Sequence, residues 1–230
     1  MKRSEINEIL RESKAFFERM QFVLPPVAFW SPDEFRARGS EAREIIDCGI
    51  GWDLTDFGRG HFHEQGLTLF TLRNGVPGDA RYPKPYAEKI MIVGENQLTL
   101  THHHWKKTED IINRGGGTLI LRVHTAAEDE TLSDDPVTFS KDGVMQTVPP
   151  GTDVRLEPGE SITLTPRLYH SFWGEAGCGP VLVGEVSAVN DDHRDNAFLE
   201  PQLRFPEIEE DEPPLHLLVG DYPEGGGGAS

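Results

Sequence analysis

The sequence predicts a mainly β protein, an antiparallel barrel or sandwich with helices at its N-terminus. From about residue 44 onward, short apolar or alternating runs rich in Val, Ile, Leu and Thr recur along the chain. Gly, Pro, Asn or Asp punctuates these runs at intervals of roughly eight to twelve residues, which is typical of antiparallel sheets. No helical pattern alternates with the runs, and this argues against a parallel α/β sheet. A chain of 230 residues is long enough to bury the core of one such domain.

The first 43 residues predict a helical extension that packs on the barrel. Apolar residues recur there at helical spacing, Ser4 is the predicted N-cap, and Leu-Pro-Pro at 24–26 ends the first helix. The segment SPDEFRARG (31–39) predicts a second short helix with Ser31 as its cap.

Residues 44–222 form the predicted β-barrel. Nine runs in this part predict strands: EIIDCGIGW, GLTLFTLRNG, KIMIVGENQLTLTHHHW, GTLILRVHTA, PVTFSKDG, VMQTVPPG, TDVRLEPGES, SITLTPRLYHSFW and PVLVGEVSAV. The acidic run EIEEDEPP (207–214) is interpreted as a solvated or chain-terminal loop, and the glycine-rich residues 223–230 as a flexible tail.

The charge of the chain bears on its partners. Lys and Arg total 22 against 39 Asp and Glu, for a formal net charge of −17. Such a surface repels phosphate backbones and anionic lipid, so neither nucleic acid nor membrane is an expected partner. The charged N-terminus lacks the apolar core of a secretory leader, and Cys48 and Cys178 form no CxxC pair. These features predict a cytoplasmic protein with reduced thiols.

The stretch HHHWKKTE (102–109) predicts a metal site. Side chains alternate faces along a strand, so His102 and His104 share one face and His103 takes the other, where it packs or meets solvent. Glu109 reaches the same ion if the following loop turns back. Two imidazoles with a carboxylate suit Mn²⁺, Fe²⁺, Co²⁺, Ni²⁺ or Zn²⁺.

A further ligand is available in GESITLTPRLYHSFWG (159–174), where His170 ends a predicted strand. The stretch HFHEQG (61–66) holds another pair, His61 and His63, but its Glu64 is adjacent to them and cannot complete the same loop. A second metal there stays open, and His63 is assigned either to a substrate pocket or to a structural role.

The spacing HxH-x4-E, followed about 60 residues later by G-x6-P-x3-H, resembles the two motifs of the cupin superfamily. In that family a small β-barrel holds one metal with three histidines and one glutamate, which correspond here to His102, His104, Glu109 and His170. Two departures leave the ligands intact: the usual glycine before the first histidine is absent, and Trp173 replaces a common asparagine.

Longer blocks resemble the D-lyxose isomerase family within the cupins, over most of the chain up to about residue 222. They are IIDCGIGWDLTDFG, GLTLFTLRNG, YPKPYAEKIMIVGENQLTLTHHHWKKTEDIINRGGG, PGESITLTPRLYHSFWGE, VLVGEVSAVNDDHRDNAF and RFPEIEEDEPP. This resemblance implies a jelly-roll-like cupin barrel, a divalent cofactor with Mn²⁺ first, and a monosaccharide substrate. The implied reactions convert D-lyxose to D-xylulose and D-mannose to D-fructose through a cis-enediol. Cupins often dimerise, so a homodimer is expected.

Such a reaction requires a general base. Glu185 interrupts the apolar strand VLVGEVS, and a carboxylate there makes sense if it points into the barrel. Burial would raise its pKa and a nearby cation would offset that rise. Lys89, in AEKIMIV, resembles a lysine of the family that binds sugar or enediolate.

Substrate-binding roles fall to residues near these groups. Asp191, Asp192 and Arg204 are candidates for holding sugar hydroxyls or for a proton relay, and His63 is a further substrate-binding candidate. The aromatics that flank the metal ligands either stack on the sugar or pack in the core: Trp105, Tyr169, Phe172 and Trp173.

Two other functions fit the same ligands: an Fe(II)-dependent cupin dioxygenase and a non-catalytic sugar-binding cupin. The sequence leaves open the preferred sugar and the native metal.

Overall fold

The structure is a computed structural model that describes residues 1–191, 194–203 and 206–223. Short 3₁₀ turns at Pro26–Phe29, Gly39–Ala42 and Val219–Asp221 accompany the regular elements. In chain order the helices and strands are α1 Arg3–Arg19, α2 Pro32–Ala37, α3 Arg43–Asp47, β1 Gly51–Thr55, β2 Leu67–Arg73, β3 Tyr86–Val93, β4 Thr99–His103, β5 Glu109–Gly116, β6 Leu119–Thr125, β7 Val137–Lys141, β8 Val144–Val148, β9 Thr152–Leu156, β10 Ser161–Leu164, β11 Leu168–Gly174, β12 Val181–Ala188 and β13 Ala197–Phe198.

The strands form two antiparallel sheets that enclose a common core. The larger sheet has the order β1-β2-β3-β12-β5-β10-β7-β8, and the smaller has the order β13-β4-β11-β6-β9. The prediction of a mainly β, jelly-roll-like fold with N-terminal helices is confirmed, although the strands in the described ranges form two separate sheets and not one closed barrel. None of the described helices is long and apolar enough to cross a membrane.

The helical predictions hold with two corrections. The first is that α1 ends at Arg19, before the Leu-Pro-Pro sequence at 24–26 that was predicted to end it. α2 begins as predicted, because the Ser31 hydroxyl accepts the Glu34 amide while the Glu34 carboxylate accepts the Ser31 amide. The prediction of Ser4 as the cap of α1 is wrong, since Lys2 occupies that position without a side-chain cap. Both the amide and the hydroxyl of Ser4 donate to the carboxylate of Asp211 instead.

The strand predictions change in three ways. Residues 43–47 form α3, so the first strand starts only at Gly51. The runs predicted over 89–105 and 161–173 are each two strands, β3 with β4 and β10 with β11, and in both cases the two strands lie in different sheets. β5 (Glu109–Gly116) was not predicted, because Asp, Asn and Arg interrupt its apolar pattern.

Apolar side chains on the two faces of the larger sheet build two separate layers. On β3, Met91 and Val93 point between the sheets, whereas Ile90 and Ile92 point outward and pack beneath α1. Because successive side chains point to opposite faces of a strand, one strand contributes alternate residues to both layers. We propose on this basis that residues 1–43 form an extension seated on the 44–222 sandwich; residues 224–230 of the predicted tail lie outside the described part.

The acidic segment 207–214 is a largely exposed loop, as predicted, and it also contacts the start of α1. Arg3 is 1% exposed, and its guanidinium donates to Glu210 at 2.6 and 2.9 Å and to Asp221 at 2.8 and 2.9 Å. The Arg3 amide also donates to the Glu209 carbonyl. Bidentate pairs of this kind hold both planar groups in one geometry, so Arg3 ties the start of the chain to its C-terminal segment.

We predict that Arg3→Met lowers the free energy of unfolding by about 2–3 kcal/mol, because the charge-assisted hydrogen bonds are lost and Asp221 keeps a partly buried charge. Urea unfolding followed by circular dichroism measures the change. The matched control is Arg36→Met, whose pair with Asp33 is exposed on both sides and should contribute less than about 0.5 kcal/mol. Equal effects of the two substitutions would contradict the anchoring role of Arg3.

Candidate metal and active site

Three histidines of the smaller sheet converge at its inner face. His102 lies on β4, His104 follows its last residue, and His170 lies on β11 directly opposite His102 in the β4–β11 register. One ring nitrogen from each of the three lies within 4.8 Å of the others. The alternation that separates His103 from its neighbours is thus what gathers the other two beside His170.

Backbone carbonyls hold each of these imidazoles in one orientation. The Nδ1 atom of His102 is 2.8 Å from the Leu100 carbonyl, that of His170 is 3.1 Å from the Leu168 carbonyl, and that of His104 contacts the Asp195 carbonyl. A carbonyl oxygen only accepts, so Nδ1 carries the proton and Nε2 keeps its lone pair. Burial and the two neighbouring histidines hold the pKa of His102 well below its ordinary value, which keeps this ring neutral.

Glu109 brings a carboxylate to the same point from the larger sheet. Its Oε1 atom lies 3.2 Å from Nε2 of His170 and 3.5 Å from Nε2 of His104, yet it is buried without a hydrogen-bond partner. An acceptor oxygen that faces acceptor nitrogens in a buried site is unfavourable unless a cation lies between them. The three histidines can therefore form a metal site, and the orphaned oxygen of Glu109 fits a fourth ligand.

Beyond Glu109, a chain of buried ionic contacts runs across the larger sheet. The Lys107 ammonium lies 2.7 Å from Glu109 Oε2 and 2.9 Å from Glu185 Oε1. The Lys89 ammonium approaches the same Glu185 oxygen at 3.3 Å. Glu185 and Lys89 sit directly opposite each other on β12 and β3, so the structure brings together the two groups that the sequence proposed as catalytic.

The lysines decide the ionisation of both carboxylates. Burial raises the pKa of Glu185, but the ammonium groups of Lys107 and Lys89 lower it by more than burial raises it. The pKa of Glu185 therefore lies below its ordinary value. Burial likewise raises the pKa of Glu109, and the Lys107 ammonium brings that pKa well below its ordinary value. From the sequence, a nearby cation was expected only to offset the rise in the pKa of Glu185 that burial causes. The effect is larger because two ammonium groups contact the same Glu185 oxygen.

Asp195 shapes the loop that carries Lys107. Its carboxylate accepts the backbone N–H groups of Trp105, Lys106 and Lys107 at 2.9–3.0 Å, while its carbonyl holds His104. Neither Lys107 nor Asp195 was predicted as a functional residue from the sequence. The pair of lysines inside HHHWKKTE was the available signal for Lys107, whereas nothing local distinguishes Asp195 among its acidic neighbours.

A cavity of about 50 Å³ between the sheets is lined by the three histidines, the two lysines and the two glutamates described above. Two polar atoms beside it, Thr99 Oγ1 and Asn196 Oδ1, are buried without a hydrogen-bond partner. Lys107 also borders a second cavity of about 760 Å³, which Asp191 lines. The apolar wall of the smaller cavity consists of Phe57, Leu67, Leu69, Met91, Ile111, Phe172 and Phe198.

Two predicted substrate-binding residues lie elsewhere. Trp173 lies on the outer face of β11, because it is an odd number of residues from the inward-facing His170. The Arg122 guanidinium lies over the Trp173 ring, 5.3 Å from the ring centre. His63 is exposed on a turn outside the sandwich. Both assignments are corrected on these grounds, and Asp192 and Arg204 lie outside the described residues.

The remaining aromatics and His103 occupy the far side of β4. His103 is fully buried against Tyr169, and its Nε2 atom lies 3.0 Å from Glu130. Trp105 is 43% exposed and donates to the same carboxylate. His103 therefore packs, as one of the two predicted alternatives stated, and does not meet solvent.

Comparison with known proteins gives a consistent family. Residues 1–222 match the family model described as D-lyxose isomerase. Proteins named D-lyxose/D-mannose isomerase from Serratia proteamaculans and Escherichia coli O157:H7 are 53% and 51% identical over 223 residues, which is 96% of this chain and 98% of each relative. The crystal structure of an Acinetobacter sp. DL28 L-ribose isomerase variant with L-ribose superposes with a TM-score of 0.61 at 16% identity, over 91% of this chain and 98% of that one. This last similarity concerns the fold.

We predict that His104→Ala abolishes binding of a divalent cation, because it removes an Nε2 donor, whereas His103→Gln binds it as the wild type does. Isothermal titration with Mn²⁺ measures both. His103 is the natural control, since it is adjacent in sequence and buried on the opposite face. Equal losses in the two variants would refute the assignment of ligands by strand parity.

Proposed function

The chain belongs to the D-lyxose isomerase family, and from this membership we propose a metal-dependent enzyme that interconverts D-lyxose with D-xylulose and D-mannose with D-fructose. The observation that supports this proposal is that a buried cluster of metal-binding side chains lies close to a second buried carboxylate. The Nε2 atoms of His104 and His170 face the orphaned oxygen of Glu109, and His102 completes the histidine cluster. A second carboxylate, Glu185, is linked to Glu109 through Lys107.

Aldose–ketose isomerisation moves one proton between C2 and C1 and another between O2 and O1, with no net oxidation. The ligands proposed are His102, His104, His170 and Glu109. A divalent cation held there, with Mn²⁺ as the first choice, supplies Lewis-acid polarisation of the sugar carbonyl. The proton transfers then fall to the other buried side chains.

We assign the carbon-bound proton to Glu185. Its lowered pKa keeps the carboxylate ionised near neutral pH, so it is ready to accept the proton from C2. It would return the same proton to C1 of a cis-enediol. The apolar wall around the cavity limits access of water to the proton between the two transfers.

Lys107 and Lys89 are assigned to the charge that develops on the sugar oxygens. Each ammonium is 5% exposed or less, so it acts at low dielectric, where a fixed positive charge stabilises an oxyanion more than it does in water. Both lysines already contact Glu185, which places donor and base within one group of atoms. A proton on O1 or O2 can therefore be exchanged beside the carboxylate that handles the carbon-bound proton.

The substrate needs more room than the inner cavity offers. About 50 Å³ is well below the ~300 Å³ or more of usual small-molecule pockets. Lys107 separates this space from the cavity of about 760 Å³ that Asp191 lines. We propose that the sugar enters from that side and that Asp191, Thr99 and Asn196 accept hydrogen bonds from its hydroxyls.

The experiment that tests the function is an aldose panel assayed after EDTA treatment and metal add-back. We expect D-lyxose and D-mannose to reach equilibrium with their ketoses only after Mn²⁺ or a related ion is restored, with equal rates in air and under argon. Activity that requires Fe²⁺ and oxygen would indicate a dioxygenase. Failure to convert any aldose in the presence of Mn²⁺ would indicate a sugar-binding protein.

We predict that Glu185→Gln lowers kcat by about 10²- to 10⁴-fold, as expected for loss of a general base, while Mn²⁺ affinity stays within a few-fold of wild type. Steady-state kinetics and titration calorimetry give the two values. Glu88→Gln is the matched control, because Glu88 lies one residue from Lys89 on the outer face of β3, opposite Val186. A Glu185→Gln enzyme with wild-type turnover would remove this residue from the mechanism.

A homodimer and a cytoplasmic location remain predictions from the sequence. Light scattering on the purified protein measures the first, and fractionation of cells measures the second.

A further inference from the structure

The Lys89 ammonium has a second partner besides Glu185. Its Nζ atom donates to Oδ1 of Asn190 at 2.7 Å, closer than the 3.3 Å that separates it from Glu185. Lys89 is 5% exposed, so these protein groups replace the water that would otherwise solvate its charge. The position of the ammonium next to Glu185 therefore depends on where Asn190 holds its amide oxygen.

Asn190 is itself held by another asparagine. The Asn190 backbone N–H donates to Oδ1 of Asn74 at 3.0 Å, and Nδ2 of Asn74 donates to the Asn190 carbonyl at 3.2 Å and to the Cys48 carbonyl at 3.1 Å. One side-chain amide thus pairs with both backbone groups of Asn190, as a neighbouring strand would. The β3–β12 ladder ends at Ala188, so Asn74 continues the restraint two residues beyond the sheet.

We propose that Asn190, clamped by Asn74, is a positioning residue that sets the Lys89 ammonium against Glu185 for proton transfer. The inference rests on the proposed function, since it assigns Lys89 and Glu185 to the reaction. Neither asparagine is required to touch the sugar.

The neutrality of Asn190 is part of this role. An amide oxygen orients the ammonium through a hydrogen bond without cancelling its charge, so that charge stays available to Glu185 and to a sugar oxygen. A carboxylate at position 190 would compete with Glu185 for the same cation, because opposite charges at this depth attract strongly. Asn190→Asp should therefore impair turnover even though its size and acceptor are preserved.

A double-mutant cycle tests the inference on the full-length Mn²⁺-loaded enzyme with D-lyxose. The four forms are wild type, Asn190→Ala, Lys89→Met and the double variant. Loss of a hydrogen bond to a charged group predicts a fall in kcat of about 10- to 100-fold for Asn190→Ala, with KM within about threefold. If Asn190 acts through Lys89, the double variant matches Lys89→Met within about twofold, since the interaction it removes is already absent.

Asn190→Ala is suited to this test because it keeps the backbone groups of residue 190 that Asn74 binds. It removes only the side-chain oxygen that accepts from Lys89. Asn113→Ala is the structural control: its side chain makes the same kind of clamp, to the Gly117 and Leu156 carbonyls and the Gly115 amide, without contact to Lys89. It should lower the melting temperature and leave kcat within about twofold.

Two results would overturn the proposal. One is a wild-type kcat in Asn190→Ala, and the other is multiplicative losses in the double variant. Either result with an active wild type and an inactive Glu185→Gln enzyme sinks only this inference. A wild type that isomerises no aldose sinks the proposed function as well.

Discussion

Four charged side chains, Lys89, Lys107, Glu109 and Glu185, lie buried between the two sheets, beside the three histidines. Removing an ionised group from water costs several kcal/mol unless it is paired. The four alternate in sign, with Lys107 between the two carboxylates and Lys89 at the end, so their formal charges cancel. Each group thereby fixes its neighbour, and loss of any one leaves an uncompensated charge in the core.

The same ionic chain links the two sheets to the metal centre. The smaller sheet supplies the histidines, the larger supplies Glu109 and Glu185, and the loop between β4 and β5 supplies Lys107. A slip of one residue in either sheet would turn a ligand to the outer face. The centre therefore depends on the alignment of the whole sandwich, and Asp195 secures the connecting loop by accepting three consecutive amides.

Strand periodicity was sufficient to predict which residues share a face, and insufficient elsewhere. Strand alternation placed His102 and His104 on one face and His103 on the other. The same rule, applied to β11, places Trp173 on the face opposite to Phe172 and His170, so it should have excluded Trp173 from the site. Lys107 escaped prediction because it lies in a loop, where no period applies and the partner is 78 residues away. Long-range contacts of that kind follow from sheet order, which a single sequence does not determine.

We expect the three histidines and Glu109 to hold one divalent cation beside the lysine–carboxylate chain. Anomalous diffraction at the manganese edge, from crystals grown with MnCl₂, locates such an ion. We expect one strong peak within coordination distance of the three Nε2 atoms and of Glu109 Oε1. A site left empty at saturating Mn²⁺, or a peak at His61 and His63 instead, would contradict this expectation.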